Sequence, residues 1–219
     1  MTFPLALSVV VGSRAYGLSV DGSDHDRRGV FVAPTRSFWS LDKPPTHFDG
    51  PLDEQFNWEF ERFCTLATQA NPTVLEVLWS PIVETVTPDG AALIGARQAF
   101  LSRRVFATYG NYARDQLAKV EARRARTGET NHKQAMHMIR LLIAGAHVLR
   151  TGDVLVDVGA LRDRLLSVRR GEVGWDEISA WSSALLADLD DAARGTALPD
   201  GPDREGINRL LSATRERNL

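Results

Sequence analysis

Apolar and polar residues follow different periods in the front and the back of this 219-residue chain. A run at residues 5–11, apolar except for Ser8, predicts a buried strand, and a run at 28–33 before Pro34 predicts a second one. Residues 34–52 have no clean period and are expected to form a loop with one short helix after Pro34. Residues 54–58 alternate polar and apolar like a half-buried strand. The pattern of the first 58 residues therefore predicts a small β-sheet.

Helical periodicity begins directly after the third predicted strand and dominates the chain from about residue 89. Asn71 and Pro72 separate the first two helices, and Asn131, Asp157 and Asp176 are candidate helix-start caps. The last helix follows a Pro-Asp-Gly-Pro turn and is expected to pack weakly. The expected helices span residues 60–67, 73–79, 104–126, 131–150, 158–169, 174–194 and 203–216.

The pattern predicts an α+β protein, with an α/β domain at residues 1–90 built on a small mixed sheet, followed by an α-helical domain at residues 91–219. With 43% hydrophobic residues the chain can bury a proper core. No apolar run approaches the roughly 20 residues that cross a bilayer, and no signal peptide is evident, so we expect no membrane partner and a cytoplasmic location. Cys64 is the single cysteine, which excludes an internal disulfide and predicts a buried apolar side chain.

Positive charge is concentrated in the middle of the chain although the formal net charge is only −2. Residues 1–100 carry 7 Lys and Arg against 12 Asp and Glu, residues 101–170 carry 14 against 6, and residues 171–219 carry 5 against 10. The basic middle suits a polyanionic ligand, and it equally suits a solvated helix face. Tyr109 and Tyr112 lie one turn apart on this basic segment, where a helix–helix contact is favoured over base stacking.

Two short motifs near the start of the chain predict a metal and phosphate site. Asp24 and Asp26 are two residues apart, so in an extended chain both carboxylates point to one side, where they can share Mg²⁺, and His25 points away. Gly12 and Ser13 follow the first strand, and a glycine backbone with a serine hydroxyl suits close approach to a phosphate. Either motif alone is weak, and together they indicate nucleotide chemistry.

Three sequence blocks together resemble a known enzyme superfamily. They read GSRAYG at residues 12–17 with SDHDRRGV at 23–30, WEFERF at 58–63 with ANPTVLEVLW at 70–79, and HKQAMH at 132–137 with RLL at 140–142. The combination resembles the DNA polymerase β-like nucleotidyltransferases, whose motif is Gly-Ser followed by Asp-x-Asp. More narrowly, it resembles the predicted nucleotidyltransferases associated with RNA-repair ligase pathways, over about residues 5–150.

The resemblance implies transfer of a nucleoside monophosphate from an NTP to an acceptor, with release of pyrophosphate and with Mg²⁺ or Mn²⁺ as cofactor. Asp24 and Asp26 would hold the metal together with a third carboxylate. The group usually has an aspartate a few residues before Glu59, where this chain has Asp53 and Glu54. Glu54 aligns best, so we assign it as the third catalytic and metal-binding residue, with Asp53 as the alternative. An exposed loop-to-strand junction is the competing interpretation of both.

Polar residues on the expected helix at 131–150 add candidate phosphate ligands. Lys133, His137, Arg140 and His147 follow steps of four, three and seven, which places them on one stripe of an otherwise apolar helix. Buried cations need partners, and a triphosphate would supply them, whereas a solvent-facing stripe is the competing interpretation. The resemblance also points to Lys133, His137 and Arg140 as nucleotide-binding residues. Arg28 is a further candidate, which would either contact phosphate or balance the aspartates.

Two other function classes remain open from the sequence. The glutamate in place of the usual aspartate is compatible with a catalytically inactive nucleotide-binding or antitoxin-like partner-binding module of the same fold. The basic middle is compatible with a protein that only binds nucleic acid. The acceptor is not specified by the sequence, and an RNA end is one candidate.

Overall fold

A computed structural model describes residues 3–219 and shows an α+β protein, as predicted. The chain divides into two units. Unit 1 contains the described residues up to Leu101 together with Gly201–Leu219, and unit 2 is Ser102–Asp200. No helix of the described residues is both long enough and apolar enough to cross a bilayer.

Unit 1 is built on a mixed five-stranded sheet with the strand order β3-β4-β2-β1-β5. β2 and β4 are parallel, and the other neighbouring pairs are antiparallel. Residues 6–10 of β1 are all buried, which explains the apolar run at this position, because a strand covered on both faces shows no alternation. The strands are β1 (Leu5–Val10), β2 (Arg27–Phe31), β3 (His47–Asp49), β4 (Gln55–Glu59) and β5 (Val83–Val86).

Nine α-helices are present in the described residues, five of them in unit 1 and four in unit 2. The Asn71 side chain accepts a hydrogen bond from the Val74 N–H at 3.3 Å, and Pro72 occupies the first turn, so the predicted boundary between two helices is confirmed. The α-helices are α1 (Gly12–Ala15), α2 (Phe60–Thr68), α3 (Pro72–Trp79), α4 (Pro88–Gly95), α5 (Arg104–Thr127), α6 (His132–Thr151), α7 (Arg162–Arg170), α8 (Trp175–Gly195) and α9 (Arg204–Arg217).

Helix α6 forms the centre of unit 2 and packs against α5, α7 and α8. Met138, Ile139 and Val148 on α6 are fully buried, as expected for a helix that is apolar around most of its circumference. The Asn131 side chain caps α6 by accepting from the Gln134 N–H at 3.1 Å, which confirms the predicted cap.

Several local expectations differ from the structure. β3 is too short to produce a visible period, and all four residues of β5 are exposed, so the sequence pattern showed neither strand. The sequence pattern also did not predict helix α4. Gly174, not Asp176, occupies the capping position of α8, and Asp176 lies in the first helical turn. α7 begins at Arg162, after a 3₁₀ turn at Gly159–Leu161.

The division into units differs from the expected boundary at residue 90, because the last helix belongs to the sheet unit. Arg215 of α9 donates to Glu59 at the end of β4 (Nη1 to Oε1, 2.7 Å). The Arg215 carbonyl also accepts from the Thr35 hydroxyl at 2.6 Å, and its guanidinium lies 4.1 Å from the ring centroid of Phe38. The expectation that this helix packs weakly is therefore wrong, since a nearly buried ion pair anchors it.

Candidate active site

The Gly-Ser turn begins where β1 ends. Gly12 has a positive φ of 68°, a conformation that side chains with a Cβ rarely adopt. A Cβ built at Gly12 would collide with Oδ2 of Asp26 and would lie 3.2 Å from its Cγ. We expected the small size of Gly12 to admit a phosphate, and the structure shows that it already admits the Asp26 carboxyl group. Gly12 therefore links the two motifs directly.

Asp24 and Asp26 lie in an extended segment immediately before β2. The Val11 N–H donates to the Asp26 carbonyl at 2.9 Å, which continues the pairing of the sheet by one step. Between the two aspartates, His25 Nε2 lies 3.3 Å from Glu84 Oε1 of β5. Since the Asp26 carboxylate lies against Gly12, His25 and Asp26 point in different directions, as the alternation of an extended chain requires.

Arg14, on the short helix α1, holds the aspartate segment through its main chain. Its Nε donates to the Asp24 carbonyl at 3.1 Å and its Nη2 donates to the Ser23 carbonyl at 3.0 Å. The guanidinium is thus bonded to peptide oxygens next to Asp24. Arg14 fixes the position of the segment and leaves the carboxylates available to another cation.

The two arginines that follow Asp26 are also bonded elsewhere. Arg27 Nε lies 3.1 Å from the carboxylate of Glu84. Arg28 Nη1 donates to the Arg27 carbonyl at 2.7 Å and to the Glu54 carbonyl at 3.0 Å. The structure therefore does not pair Arg28 with the aspartates, because its partners are main-chain oxygens, and its contact with a phosphate stays a prediction.

Glu54 directly precedes β4, and Asp26 directly precedes β2. Arg27 of β2 is in register with Gln55 of β4, so both residues lie at the start of the parallel strand pair. The Glu54 carbonyl accepts from the Arg27 N–H at 2.9 Å. Glu54 has φ of 55°, an uncommon conformation for a residue other than glycine, and its side chain is exposed. Asp53 is exposed as well, and both residues line an open pocket beside Arg28.

A closed metal cage is absent from the described residues 3–219, where no three His, Cys, Asp or Glu side chains are grouped closely enough to hold an ion. The donor types nevertheless fit Mg²⁺, which binds through one or two carboxylates and completes its shell with water and substrate phosphates. Within the described chain, the carboxylates of Asp24 and Asp26 form no hydrogen bond or ion pair. The pair therefore fits an ion that arrives with a nucleotide.

The predicted stripe of unit 2 lies on α6, with Lys133 exposed, His137 half-buried and Arg140 only 5% exposed. Burial, together with the smaller effect of the positive charges of Arg140, Lys133 and Arg169, lowers the pKa of His137 from its ordinary 6.5 to about 4. His137 is therefore neutral at pH 7, so this member of the stripe offers a hydrogen bond to an anion and not a charge.

Two contacts of unit 1 were missed by sequence reasoning. The buried Tyr16 hydroxyl donates to Glu76 Oε2 at 2.6 Å and so joins the first sequence block to the second. The second contact is the Glu59–Arg215 pair described above. Both residues of each pair are far apart in sequence, so no periodicity connects them.

Cys64 has the buried position that the sequence predicted. Burial, with a further contribution from the negative charge of Glu59, raises the pKa of its thiol to about 12. The thiolate is the nucleophilic form, so this cysteine takes no part in chemistry at neutral pH.

Comparison with known proteins gives a family model that matches nearly the whole chain. The family model RlaP, described as the RNA repair pathway DNA polymerase beta family, matches residues 2–213. No curated protein matches significantly. Among solved structures, the nucleotidyltransferase-like protein from Exiguobacterium sibiricum matches at 12% identity and a TM-score of 0.32, with 97% of this chain and 74% of that chain covered.

Proposed function

Because the chain belongs to the RNA repair pathway DNA polymerase beta family, we propose that it is a metal-dependent nucleotidyltransferase. In this reaction an acceptor hydroxyl attacks the α-phosphorus of an NTP. The new bond joins the acceptor oxygen to phosphorus, and the bond from that phosphorus to pyrophosphate breaks. The hydroxyl proton passes to a nearby base, and pyrophosphate leaves.

The strongest support comes from the distribution of charge partners around Asp24 and Asp26. Arg27 and Arg28 directly follow Asp26, and Arg14 contacts the Asp24 main chain, yet each of the three is bonded to a carbonyl or to Glu84 and not to these carboxylates. An aspartate that served only to stabilise the fold would gain from such a nearby cation. The carboxylates of Asp24 and Asp26 have no partner in the described chain, and that of Asp26 contacts Gly12. Such a pair is suited to a cation brought by the substrate.

Each residue of the site has a proposed task in this reaction. A bound Mg²⁺ or Mn²⁺ would neutralise phosphate charge and lower the pKa of the attacking hydroxyl. Asp24 and Asp26 would hold the ion, and Glu54, at the start of the neighbouring parallel strand, would be the third carboxylate ligand. Gly12 keeps Asp26 in place, and the Ser13 hydroxyl would donate to a phosphate.

Cationic and polar side chains are proposed to bind the phosphates of the nucleotide. Arg28 lines the open pocket beside Glu54, and only its Nη1 is used in the carbonyl contacts described above. On α6, Lys133 and Arg140 would supply charge and neutral His137 would supply a hydrogen bond. The assignments of Lys133, His137 and Arg140 follow the family resemblance, that of Arg28 follows its position beside the site, and each can be tested by substitution.

The decisive experiment compares aspartate variants in an assay of pyrophosphate release. Asp24→Asn and Asp26→Asn should each reduce turnover of an NTP by at least about a hundredfold, because a metal ligand contributes several kcal/mol to the transition state. Asp21→Asn, an exposed aspartate of the same loop, is the matched control and should retain activity. Each NTP is tested with Mg²⁺ and Mn²⁺ against RNA ends and small hydroxyl acceptors. Unchanged turnover in both active-site variants would refute the proposal.

A second candidate is a nucleotide-binding module without catalysis. It is favoured by one observation, that the described residues form no three-carboxylate cluster. Titration calorimetry with NTP and Mn²⁺ separates the two candidates. A pure binding module shows saturable affinity with no pyrophosphate release, whereas the enzyme shows both.

A further inference from the structure

An exposed stripe of one aromatic and three cationic residues runs along α5 from Tyr112 to Arg126 in unit 2. Tyr112, Lys119, Arg123 and Arg126 are separated by seven, four and three residues, so at about 100° per residue they lie within roughly 60° of helix circumference. All four are exposed. At about 1.5 Å per residue the stripe is about 21 Å long, equivalent to roughly six nucleotides of a stacked strand.

Positive charge on this stripe is largely uncompensated. Among residues 3–219, Lys119 and Arg126 form no ion pair, and Arg123 pairs only with exposed Glu129, at 3.4 Å. Such an exposed pair contributes little free energy, so it would exchange readily for another anion. Asp115 lies at the border of the stripe and is the acidic residue nearest to it along the helix face.

The two tyrosines of α5 have different environments. Tyr109 is fully buried within unit 2, which confirms the packing role that was favoured for it. Tyr112 is 51% exposed, although a large aromatic side chain on a helix normally gains by burial. An aromatic face in water beside three cations matches the surfaces that bind single-stranded nucleic acids, where rings stack on bases and cations follow the backbone.

We propose that this α5 stripe binds a single-stranded polynucleotide, with Lys119, Arg123 and Arg126 on the phosphates and Tyr112 stacked on a base. RNA and DNA single strands share this chemistry, and the experiment distinguishes them. The binding goes beyond nucleotidyl transfer, and it is a property of unit 2 by itself.

The test is fluorescence anisotropy of the full chain with a labelled RNA of about 12 nucleotides, without NTP, over a range of salt concentrations. The triple substitution Lys119→Gln, Arg123→Gln and Arg126→Gln should raise Kd at least about tenfold. It should also reduce the slope of log K against log salt by about 2, since each lost phosphate contact removes about 0.7 for a single strand. Tyr112→Ala should weaken binding at least about fivefold, and Tyr112→Phe should restore it.

A matched triple variant controls for net charge. Arg36→Gln, Arg62→Gln and Arg204→Gln remove three exposed cations of unit 1 and should change Kd less than about threefold. Thermal unfolding of both triple variants checks the fold, because Arg126 lies in the last turn of α5, where a cation also stabilises the helix.

The outcomes separate this proposal from nucleotidyl transfer. RNA binding that persists in the Asp24→Asn variant supports the stripe even if that variant and the native chain are both inactive. Similar affinity for DNA of the same sequence indicates recognition of the shared backbone, and preference for one polymer identifies the ligand. Equal weakening by the two triple variants, tighter binding of a duplex than of single strands, or absence of binding at low salt would overturn the proposal.

Discussion

The depressed pKa of His137 makes the stability of the chain depend on pH in a defined direction. In the unfolded chain the imidazole takes up a proton near pH 6.5, whereas in the folded chain it does so only near pH 4. Between these values the unfolded state binds more protons, so the free energy of unfolding rises with pH. The contribution is fully present above about pH 6.5 and is lost as the pH falls toward 4.

The magnitude follows from the two pKa values. A difference from 6.5 to about 4 corresponds to about 3 kcal/mol, at about 1.36 kcal/mol for each pKa unit. The charges responsible are Lys133 and Arg140 on α6 and Arg169 on α7, acting on an imidazole that is already removed from water. We therefore expect that replacing one of these cations raises the pKa of His137 only part of the way back toward 6.5, because burial is the largest cause of the shift.

Two measurements test this prediction. The chemical shift of the His137 ring, followed by NMR from pH 7 to pH 3.5, gives its folded pKa directly. Denaturant unfolding at pH 7 and pH 4.5 compares the native chain with His137→Gln, which does not titrate. The native chain should lose about 2–3 kcal/mol more than the variant over this interval.

Other groups also titrate in this range, so the comparison uses the difference between the two proteins and not either curve alone. A His137 pKa near 6.5, or equal acid sensitivity of the native chain and His137→Gln, would refute the reasoning.

Two further substitutions test the contacts that build unit 1. Gly12→Ala places a methyl group against the Asp26 carboxylate at a positive φ, so we expect a loss of about 1–3 kcal/mol in stability, measured by thermal unfolding, and at least a tenfold loss of pyrophosphate release. Native activity in this variant would contradict the role given to Gly12. Arg215→Ala leaves Glu59 buried without its partner and should cost about 3 kcal/mol in denaturant unfolding. Arg209→Ala, which breaks an exposed pair, should cost less than about 0.5 kcal/mol, and equal losses would show that burial is not the cause.

Much of the fold was predictable because its signals are local. The buried strand at Leu5–Val10 and the central helix at His132–Thr151 are long apolar patterns, and Asn71 and Asn131 are caps whose partners lie three residues away. Elements without such a signal were missed, among them the exposed edge strand Val83–Val86.

The candidate site was predicted in part for the same reason. The motif residues Gly12, Asp24 and Asp26 were identified from spacing, and the structure brings Gly12 into contact with the Asp26 carboxylate. The choice of Glu54 as the third carboxylate stays a prediction. Their roles in catalysis remain predictions. The partners of Arg14 and Arg28 were not predictable, because a guanidinium has several acceptors within reach and only the folded chain selects among them.

The sequence by itself determined the α+β class, the family and the short-range elements, because these depend on period, capping and motif spacing. Only the tertiary structure decided which charges are paired. Arg215 pairs with Glu59, more than 150 residues away in sequence, and the last helix belongs to the sheet unit. It also left Asp24 and Asp26 without cationic partners in the described chain. Pairing over such separations depends on burial and geometry, which no local pattern encodes.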